Sequence, residues 1–423
     1  MNVFGNAVTY EESMAVGIPV GILLAAIIGM LLYTRDIQLV MPMFLNKPAT
    51  ILKKALGRLT DTCSLIGFEA YRLLVSQLQW AIIAALLAAV FVFTKGYAEK
   101  TLITDNISYT YYLDKVNGAF TEETWERLGL LKAYVYETDG YRGELTQKYE
   151  NNEISKEEYT KAVRVLNADV SAKDGFDNVY RQGSVLRHQK YTGKLERSIV
   201  SESIQDYFFK GGKNMQLLAA LASIIMFVVL GRYFVADYNV QKLIKSTCRG
   251  SGTDRYIRLV FSVLFSVLVC LVIWFTYYRQ ADSRYDLSVL DYAVQSVAGY
   301  EAFRYDLTMG QVIAAGIVFK VIGAVLMALF MYFLSLWNMR KSVYQIVMLV
   351  ILLMPPLLGY LGAPVQYVLF NGFFMVEILL ADGTASVAVY CLAVLLTLAA
   401  FVGISLMKYN QAEPAVRRKS ADE

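Results

Sequence analysis

The chain has 423 residues, 56% of them hydrophobic, with a mean hydropathy of +0.42 and a formal net charge of only +4. Soluble domains hold roughly 45–50% apolar residues, so the composition points to lipid as the solvent, and so small a net charge excludes a global field for nucleic acid. A lone histidine, His188, excludes a multi-histidine metal centre, and the four cysteines (Cys63, Cys248, Cys270, Cys391) are scattered without C-x-x-C spacing, which argues against a disulfide framework.

In chain order the apolar blocks predict spans over about Met14–Tyr33, Gln79–Phe93, Met215–Leu230, Leu259–Phe275, Val312–Trp337, Val343–Leu361 and Ala385–Met407. Each approaches bilayer length, and lipid offers no water to satisfy bare backbone, so each is predicted helical. The first lacks a basic n-region and a small-residue cleavage site and reads as a span, not a signal peptide. Between the second and third lies a polar insertion, Thr94–Asn214, of roughly 120 residues, long enough for a small domain.

Inside the insertion, Thr121 opens a helix with Phe120 and Trp125 as its hydrophobic staple; Trp125, Leu128, Leu131 and Val135 form its stripe, and Asp139-Gly140 is expected to break it. Asn151-Asn152 marks a turn. Ser155 and Glu158 then fit a capping box, with Ile154 and Tyr159 as staple. Tyr159, Val163, Leu166 and Val170 share one face of the helix that follows. Further helix is expected over Phe176–Phe208. After the fourth span, Leu287, Leu290, Val294 and Val297 predict a short interfacial helix within Asp286–Tyr300, and Arg279, Asp282, Arg284 and Asp286 form a solvated charge set.

Short cytoplasmic loops collect Lys and Arg. Basic residues follow the first, third, fifth and seventh spans, whereas the amino-terminal tail and Gly362–Thr384 carry none. The amino terminus is therefore expected outside, the carboxyl terminus inside, and the insertion outside. Within the membrane two features stand out. Lys320 sits inside the fifth predicted span, where it lines a cavity, joins a structural pair or snorkels to the outer headgroups. Pro355-Pro356 removes backbone donors from the sixth, as a fixed bend or a hinge.

The loop from Gly231 to Arg258, GRYFVADYNVQKLIKSTCRGSGTDRYIR, joins two spans, and a short helix is expected over Asp237–Lys245. Asp237-Tyr238, Leu243-Ile244-Lys245, Ser246-Thr247 and Arg249-Gly250 resemble the loop of the membrane subunit of bacterial ATP-binding-cassette exporters of the drug, peptide, lipid and polysaccharide class. That family more often has Glu at the position of Asp237 and a compact Gly-Arg in place of RGSGTDR. Phe68–Leu74 is similar to the amphipathic segment before the family's first core span, GAFTEE at Gly118–Glu123 to the start of its external helical domain, and Tyr305–Gln311 to the lead into a later span. The likeness covers Phe68–Met407. With the apolar blocks it gives the expectation of an all-α integral membrane protein of about seven transmembrane helices: a six-helix permease core with a helical extracytoplasmic insertion, plus one amino-terminal helix in the first 67 residues that does not fit the family's usual pattern. The corresponding division is 1–67, 68–93, 94–214, 215–407 and a cytoplasmic tail, 408–423. It also implies coupling to an ATPase through Asp237, Tyr238, Lys242, Lys245, Arg249 and Arg255. Lys320, Pro355 and Pro356 are candidates for the transport path or its hinge.

No G-x-x-x-x-G-K-[ST] phosphate loop occurs; Gly96–Thr101 lacks the second glycine and Phe209–Asn214 the hydroxyl. No H-E-x-x-H and no nucleophile with a base partner is evident. The expectation is therefore a transport subunit of the plasma membrane, without cofactor, that is not itself an enzyme. Its partners would be a separate ATPase, a second permease subunit, identical or different, and membrane lipid, with no nucleic acid. The competing expectations are a non-transporting scaffold or sensor whose external domain binds a ligand and, third, an integral membrane enzyme.

Overall fold

The computed structural model describes residues 2–3, 6–7, 64–74, 79–104, 107–169, 173–189, 191–210, 212–235, 250–282, 285–337, 339–361 and 368–421. These are overwhelmingly helical; the strands among them are the antiparallel two-residue pair Asn2–Val3 and Asn6–Ala7. Among the described residues, five helical runs are long and apolar enough to cross a membrane: Glu202–Phe234, Arg255–Asp282, Met309–Ser335, Ser342–Tyr360 and Thr384–Met407. They coincide with the third to seventh predicted spans. The first predicted span lies outside the described residues. The second falls on α2 (Gln79–Thr104), whose described apolar stretch, Ile83–Lys95, is shorter than the others.

The centre of the bundle is α8 (Gly212–Val235), which is apolar on every face and buried along nearly its whole length, as a helix hydrophobic all round must be. Around it pack α2, α9 (Gly250–Asp282), α10 (Met309–Ser335), α11 (Lys341–Met348) and α12 (Met354–Tyr360). The outermost helix is α15 (Thr384–Ala421), which extends past Met407 through most of the predicted tail. Val389, Leu392 and Leu396 on α15 and Leu264, Leu268, Leu271 and Phe275 on α9 are exposed. Such continuous apolar stripes are untenable in water and natural against lipid, consistent with a membrane protein. Between α11 and α12, Leu349–Leu353 forms a π-helical turn and Pro355-Pro356 opens the next helix, so the prolines fall where their missing N–H groups cost least.

The insertion folds as α3 (Ile107–Lys115), α4 (Glu122–Glu150), α5 (Lys156–Asp169) and α6 (Lys173–His188) around its own core of Tyr112, Leu128, Val135, Phe176 and Val179. Thr121 caps α4 and Ser155 closes a box with Glu158 at α5, as predicted. His188 is exposed. Asp139-Gly140 does not break α4, which runs unbroken to Asn151. Val135 and Leu145, on either side of the pair, are buried, and that packing outweighs about 1 kcal/mol of glycine propensity. Asn152, at φ 58°, makes the turn instead.

The predicted helix over Phe176–Phe208 is interrupted by an extended stretch, 191–200, before α7 (Glu202–Gln205) and a π turn, Asp206–Lys210, lead into α8. The stretch is extended because its backbone pairs elsewhere: Phe120 N–H donates to Arg197 O at 2.6 Å and Ala293 N–H to Glu196 O at 2.8 Å. The segment after α9 likewise forms two 3-10 turns, Leu287–Asp291 and Val294–Ser296, in place of one amphipathic helix. Its Val294 N–H bonds Leu307 O across the loop at 3.0 Å.

The greatest departure lies in Gly362–Thr384, read from its lack of basic residues as an outer loop. Residues 368–383 instead fold back as a hairpin of α13 (Asn371–Phe374) and α14 (Val376–Ala381), buried against α10.

Candidate functional site

Three residues of α10 spaced as a helical face, Gly316, Lys320 and Gly323, form the seat of this hairpin. A Cβ at Gly323 would stand 2.5 Å from Phe373 Cβ, and one at Gly316 would collide with the Glu377 carboxylate. Small residues let the hairpin backbone approach as closely as it does. Between the two glycines, Lys320 Nζ pairs with Glu377 Oε1, both side chains being fully buried. The ammonium lies over the Trp274 ring of α9, 4.6 Å from its centroid, a cation–π contact that partly replaces lost hydration. Tyr300 donates its hydroxyl to the Glu377 carbonyl, and Asn371 Nδ2 donates to Gln216 Oε1 of α8 at 3.0 Å.

The pair does not exhaust the polar atoms around it. Glu377 Oε2, Trp274 Nε1 and the Tyr278 hydroxyl are buried without hydrogen-bond partners among the described residues, and the Trp274 and Tyr278 rings are 6.2 Å apart. One acceptor and two donors thus surround a neutralised charge pair in an apolar bundle. That set can hold a polar group or a gate. Among the described residues no cluster of His, Cys, Asp and Glu could hold a metal ion.

A second buried charge cluster joins α1 (Ser64–Leu74) to the ends of α8 and α9. Glu69 lies between Arg72, at 3.4 Å, and Arg258, at 3.5 Å, and all three are buried. Arg72 Nη2 also donates to Tyr233 O at 2.8 Å and its guanidinium covers the Tyr233 ring. The predicted amphipathic segment is therefore bonded to both helices that flank 236–249.

Of the predicted site residues, Asp237, Tyr238, Lys242, Lys245 and Arg249 lie outside the described residues, as does the short helix expected there. Arg255 is in the first turns of α9, one turn from Arg258. Lys320 is brought together with Glu377. Pro355 and Pro356 are buried at the start of α12, away from that pair. Sequence reasoning missed Glu377, Glu69 and Arg258. A usable signal existed for Glu377: it is a lone carboxylate in the apolar run FFMVEILLA, matching the lone lysine in VIAAGIVFKVIGAVLMA. Isolated charges of opposite sign in membrane segments tend to be partners.

Comparison with known proteins returns no match: no family model, curated protein or solved structure matches the chain.

Proposed function

We propose that the chain is the permease subunit of an ATP-driven exporter of the ATP-binding-cassette class, moving a peptide, lipid or drug-like substrate across the plasma membrane. In this reading about seven helices span the bilayer. The amino terminus and the insertion lie outside, and the segment 236–249 and the carboxyl terminus lie inside. The single observation that carries it is the connection between α8 and α9. A stretch with the family-like DY…LIK-ST…RG sequence joins α8 to α9, and both of these helices are bonded to α1 through a buried ionic cluster. Force applied to that stretch passes directly into three elements. A separate ATPase supplies the work, and Asp237, Tyr238, Lys242, Lys245, Arg249 and Arg255 are its docking set. The hairpin held by Lys320 and Glu377 closes the path, and a second copy or a related permease completes it.

Co-expression with the ATPase encoded beside its gene tests the reading. The detergent-extracted protein is expected to co-purify with that ATPase and to lose it on replacing Asp237 and Arg249 together by alanine. Absence of any bound ATPase rejects it. The competing reading, a non-transporting sensor, is favoured by the insertion's separate core; it predicts that the external part binds a ligand and that no ATPase associates.

A further inference from the structure

Helix α4 packs against α5 and α6, with Leu128, Val135, Thr138 and Leu145 buried. Another side of it is open. From Glu123 to Lys148, eight positions spaced alternately by four and three residues are all exposed. That spacing is one seam with a period of 3.5 residues, the repeat by which two helices lie along each other. Near its middle Leu130 is 75% exposed, Tyr134 50% and Tyr141 51%. Apolar residues scattered singly over a surface are ordinary; these three fall in register on one line. Tyr136, just off the seam, is held within the chain, donating to Asp177 at 3.0 Å with the Lys173 ammonium over its ring. Tyr134 and Tyr141 have no such side-chain contact among the described residues. Gly140 flanks the seam, and a Cβ there would meet nothing within 4 Å, so the chain itself leaves that space empty.

The charges show what fits. Glu123 and Arg127 stand at one end of the seam, Glu144 and Lys148 at the other. Turned end for end about a point between Tyr134 and Glu137, the seam meets itself. Glu123 then faces Lys148, Arg127 faces Glu144, Leu130 faces Tyr141, and the Tyr134 hydroxyl faces the Glu137 carboxylate. Two-fold symmetry makes each contact twice. A slide of one heptad either way leaves at most one kind of ionic contact, and a parallel pairing sets Glu137 and Glu144 against their own copies. Like charges so placed are costly, and opposite ones fix the register. Arg127 already reaches Glu123 at 3.3 Å and Lys115 O at 3.4 Å, both exposed contacts, and its five donors leave room for a further carboxylate.

We propose that α4 pairs antiparallel with α4 of a second copy of this chain. Leu130, Tyr134 and Tyr141 form the apolar centre, and the charged ends form the rim, the ordinary anatomy of an interface. The pairing goes beyond the permease reading and does not depend on it, since it follows from the exposed seam of the insertion alone.

Sedimentation velocity of the full chain in detergent, over a concentration series reaching 100 μM, tests it. The parent chain is expected to dimerise. Leu130→Glu, an exposed change that leaves the insertion's core intact, should weaken the dimer by about a hundredfold, because it sets a charge in the apolar centre. Arg127→Glu and Glu144→Arg should each weaken it by about tenfold or more, the worth of a charge-assisted contact. The double variant Arg127→Glu/Glu144→Arg restores opposite charges only across an antiparallel pair in this register, and should dimerise more tightly than either single variant. A monomeric parent chain, a dimer indifferent to Leu130→Glu, or a double variant no tighter than the singles overturns the proposal and leaves the seam to a different partner or to solvent.

Discussion

Removing either member of the Lys320–Glu377 pair leaves the other charge in an apolar bundle with no counter-ion. Breaking a buried pair from one side costs about 3–5 kcal/mol, whereas replacing both partners by apolar groups is often neutral. Lys320→Met and Glu377→Leu should therefore each lower the unfolding temperature in detergent, and the double variant should recover most of the loss. A double variant as unstable as the sum of the singles would show that the two charges do not interact. The glycines beside them make a separate prediction. Gly323→Ala places a methyl 2.5 Å from Phe373 Cβ, an atom fixed to the hairpin backbone, so relief requires the whole hairpin to move. Overpacking of this kind costs typically about 1–3 kcal/mol, and Gly403→Ala, whose added methyl meets nothing within 4 Å, is the control; equal stability of the two variants would remove the close seat. Lys320 was legible in the sequence as an intramembrane charge, but its three possible roles could not be separated. The choice depended on Glu377, which the absence of Lys and Arg had assigned to an outer loop. Charge bias in loops reports which side a segment faces; it does not report whether the segment folds back and buries itself.

Asp306 is one of the residues that tie the insertion to the bundle. Its carboxylate accepts from Lys194 N at 2.7 Å, Leu195 N at 3.4 Å and the Tyr191 hydroxyl at 2.8 Å. The Lys194 N–H bond, more than any other influence, draws the Asp306 carboxyl below its usual range. Burial, followed by the hydrogen bond to Asp306, pushes the Tyr191 phenol up to about 12. A depressed carboxylate stabilises the folded form above its unfolded value and loses that contribution as pH falls through its lower folded value. A raised phenol stabilises below about 10 and loses its contribution as pH rises toward the folded value. The junction should thus be firmest between these limits and loosen in acid below the ordinary carboxylate range. Hydrogen exchange at the Lys194 and Leu195 amides, corrected for intrinsic rates, should accelerate there in the parent chain. In Asp306→Asn it should be fast throughout and lose its acid dependence; an unchanged acid response in that variant would assign the effect to another group. The caps of the insertion were readable, because Thr121 and Ser155-Glu158 each satisfy helix ends with neighbours three residues away, whereas the box that Thr308 and Gln311 close at α10 was not read. The extended stretch 191–200 and the turns of 287–296 were not. Their hydrogen-bond partners lie far along the chain, and local pattern supplied helix where long-range pairing won.

At the scale of the molecule, the sequence disclosed the bundle through apolar length alone, and five of its predicted spans fall on described membrane-length helices. How they are tied together was less visible, because ionic cross-links such as Glu69–Arg258 join residues nearly two hundred positions apart. That cross-link provides the clearest test of mechanical coupling. Glu69 is the anion between Arg72 and Arg258, and it fastens α1 to the last turn of α8 and the first turns of α9. Replacing it by glutamine keeps the shape and removes the charge that holds two guanidinium groups together. If the stretch 236–249 receives force from an ATPase, Glu69→Gln should leave the ATPase bound, since the docking residues are untouched. It should nevertheless disconnect ATP hydrolysis from movement of the hairpin. The measurement is cysteine labelling at position 373 in proteoliposomes, with and without ATP. Labelling should rise with ATP in the otherwise unaltered chain and stay flat in Glu69→Gln at equal ATPase content. An ATP-dependent rise of the same size in both would mean that force travels through α8 and α9 without α1, and the buried cluster would then be only a structural clamp.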